Sequence, residues 1–358
     1  MNVAIVYDRV NKWGGAERVL LALHEMFPGA PLYTSLYSPQ KAKWARKFEV
    51  RTSFLQRLKF LRDKHELLGL FMPIAFESFD FSEFDLVISV TSESAKGIIT
   101  PPQVKHICIC LTPTRYLWSE YGQYFKNPIF RFITSPLVWY LKKWELVAIQ
   151  RPDYIIAISQ NIQRKIGKFY GKKSDVIYPP ASSILQEENI IEPQNKDYLL
   201  VVSRLVPYKK IDIVVKAANE LNLPLVVVGK GIEEQYLREI AGKTVQFKRS
   251  VRDDVLRGYL KNAKVLIYPS EEDFGIGMVE AQLHGTPVIA FRKGAASEIV
   301  VPGETGELFE QQTAGSLIAV LKKFNATSYN RDRCRKNGMR FSNQVFKSAL
   351  TRYIRKVI

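Results

Sequence analysis

Short apolar segments alternate with longer stretches of helical periodicity along this chain, starting at its first residues. This alternation is typical of parallel βαβ units, because a parallel strand needs a crossover helix to bring the chain back to the same end of the sheet. In the first half the strand-like segments are residues 3–7, 32–36, 86–90, 106–110, 154–158 and 176–178. In the second half they are residues 198–203, 225–228, 245–247, 265–268, 287–290 and 306–309. We therefore predict an α/β fold with two doubly wound sheets.

The length of 358 residues is too great for one ordinary core and suits two domains. Residues 182–196 separate the two series of strands, and they are polar and without periodicity, which is typical of a linker. The sequence thus predicts an N-terminal domain over residues 1–181 and a C-terminal domain over residues 197–340. Doubly wound sheets bind ligands beyond the carboxyl ends of their strands, so we expect the two domains to face each other across a shared cleft.

The formal charge of +17 predicts acidic partners, which include nucleic acids, anionic membranes and phosphorylated small molecules. Both halves of the chain share the basic excess, so it is not the property of a tail. The sequence shows no helix-turn-helix, zinc-finger or RNP motif, and we therefore expect no nucleic-acid partner.

Cysteine use and hydropathy predict the compartment. Cys108, Cys110 and Cys334 form neither a disulfide framework nor a set of metal ligands, which favours the reducing cytoplasm. No run approaches the ~18 apolar residues of a membrane-spanning helix. Residues 54–62 and 128–140 combine apolar and cationic side chains, which is typical of surfaces that bind anionic membranes but equally of core-facing helices with solvated lysines.

Two carboxylates, Glu272 and Glu280, flank a turn that contains glycine between a predicted strand and a predicted helix. The backbone N–H groups of Gly275, Ile276 and Gly277 are expected to point out of the helix start, where the helix dipole favours an anion such as a diphosphate. One carboxylate is then suited to sugar hydroxyls and the other to a ribose. The alternative is an acidic loop followed by a solvated helical glutamate.

Five motifs in the second half occur in an order that resembles the retaining GT-B glycosyltransferases, a group that includes bacterial mannosyltransferases of lipopolysaccharide and polysaccharide assembly. The resemblance covers nearly the whole chain and is strongest over residues 198–309. It is carried by the basic segment 203–210, the glycine turn 228–231, the paired-glutamate segment 272–280, and segments 285–290 and 301–306. In the resembled fold the C-terminal helix, here residues 341–358, crosses back to pack on the first domain.

The resemblance implies that the protein moves a sugar from a nucleoside diphosphate donor to a glycan or lipid-linked acceptor with retention of configuration. GDP-mannose is the donor it favours, and a UDP-sugar is the alternative. Arg204 and Lys209 are expected to neutralise the departing diphosphate, so no metal or other cofactor is expected. Glu272 is expected to hold the sugar and Glu280 the ribose. The other expected donor-binding residues are Gly15, Gly229, Phe274, Gly275, Ile276 and Gly277.

Lys210 stands where relatives usually have glycine, which leaves open whether Lys209 or Lys210 points inward, although Lys209 fits the family spacing better. In the N-terminal half, Gly14 and Gly15 match the family's glycine loop, which faces donor and acceptor.

The segment after the fourth predicted strand departs from the family at Leu111, where relatives have a histidine that contacts the reacting sugar. Thr112 and Arg115 keep the family pattern, and they are assigned with Leu111 and Gly14 to the acceptor or sugar pocket. His106 cannot replace the missing group, because a strand places it roughly 16 Å away; we expect it to make a structural hydrogen bond. The departure leaves a catalytically inactive sugar-nucleotide-binding homologue as an alternative.

Overall fold

The computed structural model describes residues 1–57, 69–124, 127–181 and 197–358. Internal contacts divide the chain into two compact units, which we call unit 1 (Met1–Pro180 with Phe346–Ile358) and unit 2 (Ala181–Val345). The predicted linker, 182–196, lies outside the described residues, as do residues 58–62 of the first basic apolar segment.

Unit 1 is built around a parallel sheet. Its described strands are β1 (Val3–Tyr7), β2 (Leu32–Thr34), β3 (Val50–Thr52), β4 (Leu86–Thr91), β5 (Lys105–Cys110), β6 (Tyr154–Ala157) and β7 (Asp175–Val176). Its described helices up to residue 180 are α1 (Ala16–Met26), α2 (Met72–Glu77), α3 (Tyr121–Tyr124), α4 (Pro128–Ala148) and α5 (Gln160–Tyr170). The strand order is β3-β2-β1-β4-β5-β6-β7. This confirms the predicted doubly wound arrangement for the first half.

Unit 2 has a second parallel sheet. Its described strands are β8 (Leu199–Val202), β9 (Leu225–Val228), β10 (Val245–Lys248), β11 (Val265–Tyr268), β12 (Val288–Phe291) and β13 (Gly306–Phe309). The helices that follow are α6 (Ile211–Glu220), α7 (Glu234–Glu239), α8 (Asp253–Asn262), α9 (Ile276–Leu283), α10 (Ala296–Ile299), α11 (Ala314–Leu321), α12 (Arg331–Met339) and α13 (Asn343–Val357). The strand order is β10-β9-β8-β11-β12-β13.

The order of both sheets reverses at one point, and that point positions the candidate site. The reversal falls between β1 and β4 in unit 1 and between β8 and β11 in unit 2. In doubly wound sheets the loops beyond the strand ends diverge at this switch point and leave a crevice for ligand. Arg204 and Lys209 follow β8, and Glu272 follows β11, so the predicted residues of unit 2 lie at its switch point.

Helix α13 packs on unit 1 through its C-terminal part. The Tyr154 hydroxyl donates to the Val357 carbonyl over 3.1 Å, and the Tyr353 hydroxyl donates to Asp175 over 2.9 Å. Residues 346–358 therefore belong to unit 1, although they follow unit 2 in the chain.

Two edge strands differ from the sequence prediction. β3 was not predicted, because its three residues, Val50–Thr52, are half-buried and include an arginine, so they form no apolar run. β7 ends at Val176 rather than at residue 178, because only Asp175 and Val176 pair with β6. Edge strands bury little side chain, and the apolar signal is correspondingly weak there.

Candidate functional site

An ion pair between Lys209 and Glu272 joins the two loops at the switch point of unit 2. Lys209 ends a 3₁₀ turn, Pro207–Lys209, and its Nζ contacts Glu272 Oε1. Ser270 Oγ donates to the same carboxylate oxygen over 2.8 Å. The Lys209 and Glu272 side chains are only 11% and 14% exposed, so the pair is largely removed from solvent.

The backbone of Glu272 is fixed from two sides. Its carbonyl accepts a hydrogen bond from the Ala295 N–H over 2.9 Å. Gly294 lies against it at φ +77°, and a Cβ at that position would be 2.3 Å from the Glu272 carbonyl oxygen, so only glycine fits. Two residues further on, the Phe274 ring is buried against Phe341 with the ring centroids 5.5 Å apart. The Phe274 side chain therefore anchors the loop, and donor binding by this residue stays a prediction.

Arg204 is exposed and lies beside Tyr208, to whose hydroxyl it donates a hydrogen bond. The glycine turn after β9 holds this loop in place. Gly229 has φ +150°, and a Cβ there would be 1.8 Å from the Ser203 carbonyl oxygen. The Leu205 N–H also donates to the Lys230 carbonyl over 3.0 Å. Gly229 is thus required sterically for the close approach of the two loops.

Lys210 adopts the left-handed conformation (φ 54°, ψ 37°), is exposed and caps the start of α6. Glycine takes this conformation without steric cost, which explains in physical terms why glycine suits the position. Of the two adjacent lysines, Lys209 is the one that contacts Glu272.

Helix α9 starts next to this pair. Gly275 caps it at φ +90°, and the Met278 N–H donates to the Gly275 carbonyl over 2.9 Å, so the helix begins at Ile276 as its first residue. The glycine cap sets this boundary. Gly277 lies against the Tyr268 ring: a Cβ on it would be 3.2 Å from Tyr268 Cε2.

Tyr268 is the last residue of β11 and lies close to the Lys209–Glu272 pair. Burial raises the pKa of Tyr268 well above its usual range, and the negative charges of Glu272 and Glu280 raise it further. Lys209 Nζ lies 5.8 Å from the centroid of its ring. Tyr268 is therefore neutral and lies beside the Lys209 cation, although in sequence it is only the end of an apolar strand.

In unit 1 the glycine loop after β1 is organised by Glu17. Gly15 caps α1 with helical dihedrals (φ −75°, ψ −38°), so it is not needed here for a left-handed turn. A Cβ on Gly14 would be 3.2 Å from Glu17 Oε2. The Glu17 side chain is buried and accepts a hydrogen bond from the Tyr7 hydroxyl over 3.1 Å, and burial raises the pKa of Glu17.

The segment after β5 carries the other predicted residues of unit 1. Leu111 is half-buried, and its N–H donates to the Thr91 carbonyl over 2.8 Å. Thr112 is buried. Arg115 Nη1 lies 3.6 Å from Glu120 Oε1. His106 lies near the other end of β5 and shares a 2.8 Å hydrogen bond with Ser89 Oγ. Burial lowers the pKa of His106 to about 3. The expected structural hydrogen bond of His106 is confirmed.

A buried ion pair holds the segment after β5 in place. Lys96 and Glu145 are 0% and 1% exposed and in contact. Glu145 also accepts hydrogen bonds from Thr114 Oγ1, from Trp118 Nε1 (2.6 Å) and from the Tyr170 hydroxyl (2.8 Å). A buried charge needs such full satisfaction, and here it ties the segment that contains Arg115 to α4 and α5.

Arg204, Lys209 and Glu272 lie at the switch point of the unit 2 sheet, and Gly14 and Gly15 lie at that of the unit 1 sheet. Arg204, Lys209, Gly229 and the 272–280 segment belong to unit 2, and Gly14, Gly15 and the 111–115 segment belong to unit 1. The predicted facing of the two sets across a cleft stays a prediction. Within the described residues, no group of three or more histidine, cysteine, aspartate or glutamate side chains has metal-binding geometry. No helix in the described ranges is long and apolar enough to cross a membrane.

Comparison with known proteins finds relatives for part of the chain and a similar fold for the whole of it. Residues 184–341 match the family "Glycosyl transferases group 1". An uncharacterized glycosyltransferase of Methanocaldococcus jannaschii is 26% identical over 216 residues, which cover 59% of this chain and 60% of that protein. The alpha-1,3/1,6-mannosyltransferase alg-2 of Neurospora crassa is 42% identical over 80 residues, 22% of this chain and 17% of that protein. The matched regions therefore span less than two thirds of either relative.

Anabaena HepE in complex with UDP superposes with a TM-score of 0.71 at 18% identity, covering 100% of both chains. Together with the two parallel sheets, this match gives the chain the GT-B fold. The region from 184 to 341, which contains the ion pair and α9, is the part of the chain that matches this family.

Proposed function

We propose that this protein is a retaining glycosyltransferase that uses a nucleoside diphosphate sugar. The observation that carries the proposal is the Lys209–Glu272 pair, held with Ser270 at the switch point of unit 2 beside the start of α9. It combines a fixed cation and a fixed carboxylate within one contact distance. Such a pair suits a ligand that is anionic at one end and carries hydroxyl groups at the other.

In the proposed reaction the bond between the anomeric carbon and the diphosphate oxygen breaks, and a bond to the acceptor hydroxyl oxygen forms on the same face of the sugar. The proton of the acceptor hydroxyl passes to the departing diphosphate. Negative charge builds on the departing diphosphate, where Lys209, Arg204 and the N-terminus of α9 stabilise it. Glu272 accepts hydrogen bonds from sugar hydroxyls, and Glu280 from the ribose. Because side chains supply the positive charge, the reaction is proposed to need no metal ion.

The sugar and base remain alternatives with different support. Mannose from GDP-mannose is favoured by the motif resemblance and by the mannosyltransferase among the relatives. A UDP-sugar is favoured by HepE, which was also solved with UDP-glucose. The acceptor is proposed to be a glycan or a lipid-linked sugar of cell-surface polysaccharide synthesis, at the cytoplasmic face of the membrane.

Thermal unfolding with GDP-mannose, UDP-glucose and UDP-galactose tests donor binding, since a ligand that binds only the folded state raises Tm. We expect one of these to stabilise the protein and to be hydrolysed slowly in the absence of acceptor. The anomeric configuration of the transferred sugar, read by NMR, tests retention. Absence of stabilisation and hydrolysis across the panel, or an inverted product, contradicts the proposal. Stabilisation without turnover would instead support the inactive homologue that Leu111 suggested.

A further inference from the structure

Helix α4 (Pro128–Ala148) carries a row of large apolar side chains on its exposed face. Phe132, Ile133 and Trp139 are 81%, 68% and 64% exposed. The complete row is Ile129, Phe132, Ile133, Trp139, Tyr140 and Val147. At about 100° per residue these six positions fall within an arc of roughly 120°. Monomeric soluble proteins seldom leave so continuous an apolar row in water, and such rows mark interaction surfaces.

The opposite face of α4 packs inward, so the exposed row is not a core face that was assigned wrongly. Val138, Leu141 and Ala148 are buried. Glu145 lies on that side and forms the ion pair with Lys96. Helix α4 thus has a core-facing side, and its outward side carries apolar side chains as well as Lys143.

The ionic side chains that α4 exposes are all positively charged. Arg131 and Lys143 are exposed and Lys142 is half-buried, whereas Glu145, the one carboxylate in the α4 sequence, is buried. Lys143 Nζ lies 5.9 Å from the centroid of the Trp139 ring. Lys143 lies within the arc of the row, Arg131 and Lys142 lie outside it, and α4 exposes no negative charge of its own.

The backbone carbonyl of Phe132, on this face of α4, keeps a hydrogen-bond donor although Pro136 cannot supply one. Pro136 has no N–H to donate to the carbonyl of Phe132, four residues before it. Ser135 Oγ donates to that carbonyl instead, over 2.8 Å. A carbonyl turned toward an apolar phase needs such a partner, because no water replaces it there.

A second apolar group lies on an element joined to α4. Phe71 and Ile74, at the start of α2, are exposed. Glu77 at the end of α2 accepts a hydrogen bond from Trp144 Nε1 of α4 over 2.8 Å.

We propose that the apolar face of α4 docks the protein on an anionic lipid bilayer, with the helix lying along the interface. The apolar row would enter the acyl boundary, and Lys143 would contact the phosphate headgroups, with Arg131 and Lys142 adding positive charge beside that face. A second copy of the chain does not fit, because a twofold contact would bring the same cations together on a protein of charge +17.

This docking deepens the proposed function and rests on it for the identity of the acceptor. Helix α4 is the crossover from β5 to β6, so its N-terminal half lies toward the carboxyl end of the sheet, where Leu111 and Arg115 are. Docking through Phe132 and Ile133 brings that end to the bilayer. The acceptor is therefore lipid-linked, and the transferred sugar joins it at the membrane surface.

Vesicle co-sedimentation of the full chain tests the docking, with phosphatidylcholine vesicles and phosphatidylcholine vesicles that contain phosphatidylglycerol, over a series of NaCl concentrations. We expect the wild type to bind the anionic vesicles and to be released by salt. The double variant Phe132→Ser/Ile133→Ser should bind at least about tenfold more weakly. Arg131→Gln/Lys143→Gln should weaken binding and flatten its salt dependence. Ile232→Ser is the matched control, since Ile232 is 82% exposed but lies in unit 2, and it should bind like the wild type.

Three results would overturn the docking: unchanged binding by the Phe132/Ile133 variant, equal wild-type binding to neutral vesicles, or a wild-type dimer in sedimentation velocity that this variant dissociates. Far-UV circular dichroism must first show that each variant is folded. Hydrolysis of soluble nucleotide sugars without vesicles separates the two proposals. If the wild type hydrolyses none of them but binds anionic vesicles through α4, the proposed function fails and the docking stands.

Discussion

Replacing Lys209 with methionine removes the cation of the candidate site while keeping most of the length of the side chain. Glu272 then retains the hydrogen bond from Ser270 Oγ but loses its ion-pair partner. Because both side chains of the pair are largely buried, the loss resembles that of a hydrogen bond to a charged group, about 1.5–3 kcal/mol in the free energy of unfolding.

An exposed pair in the same unit provides the control. Lys216 and Asp212 lie 3.1 Å apart on α6, with side chains 50% and 23% exposed. A helical surface pair of this kind contributes about 0.3–0.5 kcal/mol. Lys216→Met should therefore destabilise unit 2 several times less than Lys209→Met, although both substitutions remove one positive charge.

Urea unfolding followed by two probes measures the difference. All five tryptophans lie between residues 13 and 144, so their fluorescence reports on unit 1 alone. Far-UV circular dichroism reports on both units, and the part of its transition that fluorescence does not follow belongs to unit 2. Lys209→Met should move that part to lower urea concentration.

The same variants test the chemistry. Removing a positioned charge from a transition state typically lowers turnover at least ~100-fold, so Lys209→Met should lose that much donor turnover while Lys216→Met keeps wild-type rates. In a double-mutant cycle with Glu272→Gln, the loss of stability in the double variant should be smaller than the sum of the two single losses by about 1–2 kcal/mol. If Lys209→Met behaves like Lys216→Met in both assays, the reasoning from burial and contact is refuted.

Four further results are expected. Arg204→Ala should also reduce turnover at least ~100-fold while leaving the unfolding transition nearly unchanged, because Arg204 is exposed; near-wild-type kinetics would remove it from the site. Leu111→His should change the rate or donor preference by an amount equivalent to about 1–2 kcal/mol, and unchanged kinetics across several donors would place Leu111 outside the sugar pocket. Turnover should persist in EDTA, since side chains supply the cations; complete loss restored by magnesium or manganese would contradict this. Burial, reinforced by cationic side chains of α8 and α12, lowers the pKa of His284 from 6.5 to about 4. As pH falls, the imidazole of His284 therefore binds a proton in the unfolded chain before it does so in the folded protein. Its contribution to stability is full above about pH 6.5 and is lost between about pH 6.5 and 4. His284→Gln should flatten this pH dependence of stability, measured by the dichroism transition.

The strands were predictable where their side chains are buried on both faces. Residues 3–7, 225–228 and 265–268 were predicted with the bounds that the structure has, because each is an apolar run that ends at a turn residue or changes to polar sequence. The register and the order of strands were not predictable from local pattern, since they depend on which segments pair. The edge strand β3 was missed for the same reason that it tolerates an arginine: its side chains are only half-buried.

The site was predictable only in part because its support comes from distant segments. Glu272 and Lys209 stand in recognisable motifs, but Gly294, which fixes the Glu272 backbone, belongs to the next strand-to-helix loop. Tyr268 reads in sequence as the end of an apolar strand. The Phe274 ring packs against Phe341, a contact that its place in the motif does not reveal, and donor binding by Phe274 stays a prediction.

The glycine turn shows why some candidate residues are poor subjects for mutation. Gly229 was expected to contact the donor, but any side chain there would strike the Ser203 carbonyl oxygen, and the displacement would carry Arg204 with it. A Gly229→Ala variant without activity would therefore be explained equally by loss of donor contact and by movement of Arg204. Lys210→Gly avoids this ambiguity, because it relieves a left-handed lysine by about 1 kcal/mol without changing a contact of Lys209. Since glycine also costs chain entropy of about 0.5–1 kcal/mol, the two effects nearly cancel, and any change in turnover would have to come from the Lys210 charge itself.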